Sequence, residues 1–152
     1  MARLGFTVST GLVAWAATAK TAFTLTAPAN QRVIFKGIKM FGQGVSNTDK
    51  PLQVELMTYA SISGGTAGIV VTSKKENELA ETIQSTIAGN YSVEPTYTTA
   101  VTVENFTLHP QLANALWWPL GLEYVIKGGT GLALRITSTN ADTAGFQGEF
   151  EE

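Results

Sequence analysis

The sequence predicts an all-β protein, an antiparallel β-sandwich of jelly-roll type preceded by an extended N-terminal arm. Threonine occurs 21 times among the 152 residues, and its β-branched side chain fits a pleated sheet better than a helix. Apolar and polar residues alternate in run after run, and turns rich in Gly, Pro and Asn separate these runs. We find no internal repeat of roughly 20 to 50 residues, which disfavours a propeller or a solenoid.

Residues 1–17 are interpreted as the arm and residues 18–152 as a single sandwich domain. The apolar stretch "GLVAWAA" is short and follows Ser9 and Thr10, so we expect an uncleaved segment rather than a signal peptide. A segment with this many apolar residues is expected to dock on a neighbouring subunit. No stretch approaches the roughly 20 apolar residues of a membrane span.

The first strands are predicted in "TAFTLTAP" and "QRVIFKGIKMFGQG". In the second of these, Val33 and Phe35 share one parity while Ile38 and Met40 share the other. A bulge or bend near Gly37 would keep all four side chains in the core. "PLQVELMTYA" resumes the alternation after a polar turn, and "IVVTSKK" is a short strand candidate.

Residues 76–90 fit two alternatives, a short amphipathic helix or a strand and loop laid along the surface. "TYTTAVTVENFTLHP" then predicts a strand pair or a bent strand, with a parity switch marked by Glu104 and Asn105. "LEYVIKGGTGLALRITS" predicts a β-hairpin turned by its glycines. "AGFQGEFEE" predicts a closing strand with Phe146 and Phe150 facing inward.

The composition disfavours several classes of function. Charged residues make up 14% of the chain, the net charge is -2 and the ten basic residues are scattered, so we expect no nucleic-acid binding. The chain has no cysteine, and the single histidine, His109, has no second His or Cys to share a metal with. Asp49 and Asp142 lie in turn-like segments. We therefore expect no catalytic, cofactor-binding or metal-ligating residue and no enzyme activity, although a glycosidase-like carboxylate pair distant in sequence stays open.

The stretch "LANALWWPLG", residues 112–121, places two tryptophans directly before Pro119. Adjacent residues of an extended segment face opposite sides, so one ring should pack into the core and the other should face outward. An exposed tryptophan is a typical anchor of a protein interface, whereas a ligand-binding platform needs converging polar groups. The predicted interface residues are Phe6, Leu12, Trp15, Trp117 and Trp118.

From about Thr18 to Glu152 the chain also resembles a known kind of protein. The succession "TAKTAFTLTAPANQRVIFKGIKMFG", "SNTDKPLQVELM", "SVEPTYT", "TLHPQ", "WWPLG", "KGGTGLALRITS" and "GFQGEFEE" resembles small proteins encoded beside the capsid genes of tailed phages. It is similar in size and β-rich character to jelly-roll decoration, or cement, proteins.

The resemblance implies a homodimer or homotrimer on the capsid exterior of the virion. Its partner would be the major capsid protein, whose neighbouring subunits it would bridge, and it would bind no cofactor, nucleic acid or membrane. The alternative is a carbohydrate- or receptor-binding jelly-roll module of a phage head fibre or tail.

Overall fold

A computed structural model describes residues 4–42, 50–74, 82–109, 111–139 and 142–152. These residues form fourteen strands and no α-helix. The strands are β1 (Gly5–Trp15), β2 (Lys20–Thr26), β3 (Val33–Gly42), β4 (Leu52–Tyr59), β5 (Ser61–Ser63), β6 (Thr66–Gly68), β7 (Val71–Lys74), β8 (Thr86–Val93), β9 (Thr96–Thr98), β10 (Val101–Leu108), β11 (Asn114–Trp117), β12 (Tyr124–Ile126), β13 (Gly131–Thr137) and β14 (Asp142–Glu151).

The strands form two large antiparallel sheets and one small one. The first sheet has the order β11–β3–β14–β1–β7, and β12 also pairs with β3. The second sheet has the order β10–β4–β13–β2–β8–β6, while β5 and β9 pair with each other. The set β11–β3–β14–β1 faces the set β10–β4–β13–β2, and strands β1 to β4 alternate between the two sheets. This is the arrangement of a jelly roll, so the predicted all-β sandwich is confirmed.

Aromatic side chains fill the space between the two sheets. Phe150 lies at their centre, with its ring centroid 5.5 Å from that of Phe6, 5.9 Å from that of Phe23 and 4.9 Å from that of Phe35. All four side chains are almost completely buried. Truncating one such aromatic residue to alanine typically costs about 3–5 kcal/mol, so this cluster is a main source of stability.

Within the expected arm of residues 1–17, the described strand Gly5–Trp15 belongs to the sandwich. Gly5–Trp15 is an interior strand that pairs with β14 on one side and β7 on the other. Its register shifts between Ser9 and Leu12, where Gly11 has a φ of 66°. This bulge reverses the parity of the strand, so Phe6 before it and Trp15 after it both point into the core.

The predicted hairpin at residues 122–138 is wrong. β12 pairs with β3 in the first sheet, whereas β13 pairs with β2 and β4 in the second. The turn between them is tight, since the Thr130 amide donates to the Lys127 carbonyl over 3.0 Å and Gly129 has a φ of 78°. The turn therefore carries the chain from one sheet to the other. Its glycines predict a turn but do not indicate which sheet the next strand joins.

Two local predictions can be compared with the strands directly. The bend at Gly37 is confirmed, because the pairing of β3 with β14 shifts there and the apolar residues on both sides of it are buried. The parity of β10 switches between Thr102 and Glu104, slightly before the predicted position. For residues 76–90, the described part is irregular until Thr86 and then extended as β8, and residues 76–81 lie outside the described residues.

Candidate interface at the β11–β12 edge

Strands β11 and β12 lie end to end along the same side of β3. Trp117 pairs with Gly37, the Trp118 amide donates to the Lys36 carbonyl over 3.1 Å, and Tyr124 pairs with Phe35. From residue 118 to residue 124 of the chain, the partner position on β3 therefore moves by only one or two residues. Residues 119–123 must therefore leave the sheet edge as a loop, which we call the edge loop.

The edge loop is held by its own hydrogen bonds. The Leu122 amide donates to the Pro119 carbonyl over 2.9 Å, and the Gly121 amide donates to Glu123 Oε2 over 2.6 Å. Gly121 has a φ of 89°, which only glycine adopts readily. The loop exposes 94% of Leu120 and 68% of Leu122, so a defined turn presents two leucines to solvent.

Trp118 is the inward-facing member of the tryptophan pair. Its ring packs against Phe35 at 5.1 Å and edge-on against Tyr124 at 5.2 Å, measured between ring centroids. The Tyr124 hydroxyl donates to Glu104 Oε1 over 2.7 Å and so joins β12 of the first sheet to β10 of the second. Burial, together with the hydrogen bond to the Glu104 carboxylate, raises the pKa of Tyr124 to about 12. Trp118 is therefore partly buried and packs against the core at the side of the sandwich.

Trp117 lies on the outside of the first sheet, with 47% of its surface exposed. Its ring lies over Gly37, and a Cβ added to that glycine would collide with it. Lys39 Nζ lies over the ring, 5.0 Å from the centroid, and also pairs with Glu149 Oε1 at 2.9 Å. The predicted division of the pair into an inner and an outer ring is confirmed, and the role of Trp117 as a contact residue stays a prediction.

Apolar side chains are exposed along the whole of this edge. We call the following six residues, each 40% or more exposed, the apolar edge: Leu112, Leu116, Trp117, Leu120, Leu122 and Val125. With about 150–250 Å² for a large side chain, their exposed surface adds up to on the order of 700 Å², spread over both sides of the strand edge because neighbours such as Leu116 and Trp117 point to opposite sides. The largest apolar patch of a typical monomeric protein is roughly 300–600 Å², and larger patches mark interaction sites.

A shallow depression lies at the other end of β11. It has a volume of about 280 Å³, and its lining includes Met40, Phe41, Ala113 and Ala115. Lys39, Asn114 and Gln147 complete the lining. The depression is mainly apolar, and it extends from β11 across β3 to β14 on the face of the first sheet.

The structure separates the five residues predicted as an interface. Phe6 and Trp15 are fully buried in the core of their own chain, so the prediction that they contact a partner is wrong for this fold. Leu12 is 45% exposed on β1, which β14 and β3 separate from β11. Only Trp117 belongs to the apolar edge.

Sequence reasoning missed the most exposed members of that edge, Leu120 and Leu122. A signal for them was present in "WWPLGLE". Proline and glycine predict a turn, and turns favour small and polar residues. Leucines placed in such a turn indicate a contact surface.

Several polar groups elsewhere in the sandwich form hydrogen bonds with one another. Thr21 donates its amide and its hydroxyl to the two Glu94 carboxylate oxygens, and its hydroxyl also lies 2.6 Å from the Tyr97 hydroxyl. The buried Asp142 accepts from the Ser138 hydroxyl at 2.7 Å, and His109 Nδ1 accepts from the amide of Gln111 at 3.3 Å. Asp49 lies outside the described residues. These contacts are those of structural groups.

Neither a metal site nor a membrane-spanning helix is found among the described residues. Within these ranges, no group of three or more His, Cys, Asp or Glu residues could hold a metal ion. No helix in the same part of the chain has the length and apolarity needed to cross a membrane.

By its fold, the chain is an antiparallel jelly-roll sandwich with an exposed apolar edge. No family model, curated protein or solved structure matches it.

Proposed function

We propose that the chain is a structural virion protein, a decoration or cement protein that binds the outer surface of a tailed-phage head. In this role it bridges neighbouring major capsid subunits and stabilises the shell. The observation that carries the proposal is the apolar edge, on the order of 700 Å² of exposed apolar surface on a rigid sandwich. The resemblance of the sequence to jelly-roll decoration proteins supports the same role.

The physical action of such a protein is binding. A ligand that binds only the assembled shell stabilises it by RT ln(1 + [L]/Kd), about 2.7 kcal/mol per site at a concentration one hundred times Kd. Sites that each gain this much add up over a shell with many subunits. A rigid sandwich suits this task because little conformational entropy is lost when it binds.

The test uses shells that lack the chain and the purified full-length protein. We expect saturable binding at a fixed ratio to the major capsid protein, and a higher temperature of shell disruption. Occupancy should fall in a variant that carries Leu120→Asn and Leu122→Asn. It should stay unchanged in Ile69→Asn, which alters a residue that is 85% exposed between β6 and β7. Absence of wild-type binding, or binding restricted to the inner surface, would overturn the proposal.

One observation favours the alternative of a carbohydrate- or receptor-binding module. Trp117 is exposed near a depression whose lining includes the polar side chains of Asn114 and Gln147. Sugars stack on a free face of an aromatic ring, however, and the Trp117 ring lies against Gly37 and carries Lys39 over it. The geometry therefore favours a protein contact over a sugar platform.

A glycan array separates the two functions. The decoration role predicts no saturable binding to any glycan. A saturable signal that is lost in Trp117→Ala and kept in Ile69→Asn would establish the binding module instead.

A further inference from the structure

We infer that the apolar edge is covered by a second copy of this chain in a two-fold contact, in which each edge loop fills the depression of the other copy. The contact forms without a shell but uses the edge that carries the proposed function, so the inference rests on that function: a pair of copies, rather than a single copy, would bridge neighbouring capsid subunits. It names the partner of the edge and the two surfaces that meet.

The order of features along β11 makes the edge complementary to itself. The depression lies at the start of the strand, beside Ala113 and Ala115, and the edge loop begins at residue 119, after its end. When two such strands run antiparallel about a two-fold axis near Trp117, the start of one strand lies beside the end of the other. Each loop then meets the partner's depression, and every contact occurs twice, as in an isologous interface.

The sizes of the two features agree. The depression has a volume of about 280 Å³ and is open to solvent, so it has room for an apolar side chain. It can therefore receive a leucine side chain from the edge loop, and Leu120 is the most exposed residue available, at 94%.

The area also suits a second copy. The apolar edge exposes on the order of 700 Å², and each partner of a standard protein–protein interface buries about 800 Å². Two copies of this edge would bury at most about 1,400 Å² in total, which lies within the size range of stable interfaces.

The charges allow the edge to face its own copy. Between residues 112 and 125 the only charged residue is Glu123, and its carboxylate accepts a hydrogen bond from the Gly121 amide. Lys39, which lines the depression and lies over Trp117, would approach its counterpart at the two-fold axis, but its Nζ pairs with Glu149 at 2.9 Å, so the contact brings together two neutral ion pairs. A membrane surface or a nucleic acid would instead select clustered Lys and Arg, which this edge lacks.

The edge loop also defines the kind of contact. An uninterrupted edge strand can add a strand from another chain by backbone hydrogen bonds. Here the loop divides the edge into β11, with four residues, and β12, with three. The contact must therefore depend mainly on side-chain packing.

Sedimentation equilibrium of the full chain without shells tests the inference. The wild type and the control Ile69→Asn should be dimers. The Leu120→Asn/Leu122→Asn variant, which removes the apolar loop, and Ala115→Arg, which fills the depression, should each associate about one hundredfold more weakly or worse. All of these positions are exposed, and circular dichroism checks that each variant is folded.

A cysteine pairing experiment tests the geometry separately, since the chain has no cysteine. Mixing Leu120→Cys protein with Ala115→Cys protein under mild oxidation should give mainly the mixed disulfide. Replacing Ala115→Cys by Ile69→Cys should abolish it.

A monomeric wild type, a trimer, or a dimer that the loop and depression variants leave intact would overturn the inference. The shell-binding result decides the decoration role on its own. A monomer that binds shells refutes only the two-fold contact, and a dimer that ignores shells refutes only the decoration role.

Discussion

Replacing Asn90 by aspartate should destabilise the sandwich strongly, although the two side chains have the same shape. Asn90 Nδ2 donates to the Thr10 carbonyl at 2.8 Å and to the Ile69 carbonyl at 2.5 Å. These bonds tie β8 to the bulge of β1 and to the corner between β6 and β7. Asn90 has a φ of 50°, a conformation that aspartate also tolerates. The substitution therefore removes the two donors with little change in backbone strain.

The expected loss follows from those two bonds. Each hydrogen bond contributes about 1 kcal/mol net, and an unsatisfied part-buried carbonyl costs more than that. A carboxylate facing two carbonyl oxygens adds electrostatic repulsion, so we expect a total of about 2–4 kcal/mol at neutral pH. A domain of this size loses roughly 2–4 °C in Tm for each kcal/mol, which gives a decrease of about 5–15 °C.

Urea unfolding at neutral and acidic pH measures the effect, with Asn90→Gly as the control. Glycine accepts the positive φ and loses both donors without adding a charge, so it should cost about 2 kcal/mol. The charged carboxylate is disfavoured in the fold, which raises the pKa of the introduced group above its unfolded value of about 3.9. Its protonated form is stabilised in the fold, so Asn90→Asp should recover towards the glycine variant below about pH 4 and weaken as the pH rises.

Two outcomes would refute this reasoning. One is Asn90→Asp within about 0.5 kcal/mol of the wild type at neutral pH, the scatter of ordinary surface substitutions. The other is a difference between the Asp and Gly variants that does not change with pH.

Three further predictions concern other parts of the sandwich. Burial raises the pKa of Tyr59 to about 12, compared with about 10 in the unfolded chain. The fold therefore favours the neutral phenol, which contributes about 3 kcal/mol to the free energy of unfolding below pH 10. This contribution is lost as the pH rises through 12. Tyr59→Phe should reduce that alkaline decline in urea unfolding while Tyr124 keeps part of it, and an unchanged slope would contradict the assignment. Gly37→Ala should lower the free energy of unfolding by about 1–3 kcal/mol and shift the tryptophan fluorescence, because the added methyl group collides with the Trp117 ring. Unchanged emission would show that the ring does not lie over Gly37. Trp15→Phe removes the 2.8 Å hydrogen bond from Nε1 to the Ala144 carbonyl and should lower the free energy of unfolding in urea by about 2–3 kcal/mol. Trp117→Phe, at a half-exposed site, should lower it by less than about 1 kcal/mol. Equal losses in the two variants would contradict this prediction.

The alternation of residues was enough to predict the sandwich, because burial on one face of a strand leaves a period of two in the sequence. The same rule misjudged the N-terminal strand. Gly11 inserts a bulge, so Phe6 and Trp15 have opposite parity in sequence but lie on the same face. A bulge whose position is unknown makes a regular strand look like an irregular arm. At Gly37 the sequence offered clear apolar residues on both sides, and there the bend was predicted correctly.

Which sheet a strand joins depends on contacts between distant segments. The turn at residues 127–130 has the glycines of a hairpin, but β12 and β13 pair with different partners in different sheets. The tryptophan pair, by contrast, was divided correctly because the pleat alone requires it. The exposure of Leu120 and Leu122 could not be predicted from the pleat. It depends on the position along β3 at which the chain resumes pairing as β12, because that position leaves residues 119–123 as a loop.

The edge loop has a second consequence, for the way in which copies of the chain can assemble. A long exposed edge strand with apolar side chains is a template for open-ended pairing between chains. In this protein the loop leaves only the four residues of β11 and the three of β12 in line with β3 on either side of it. A two-fold contact also covers the loop and the depression of both copies, so no complementary surface remains for a third copy. The same loop that exposes two leucines therefore favours a closed pair over a fibre.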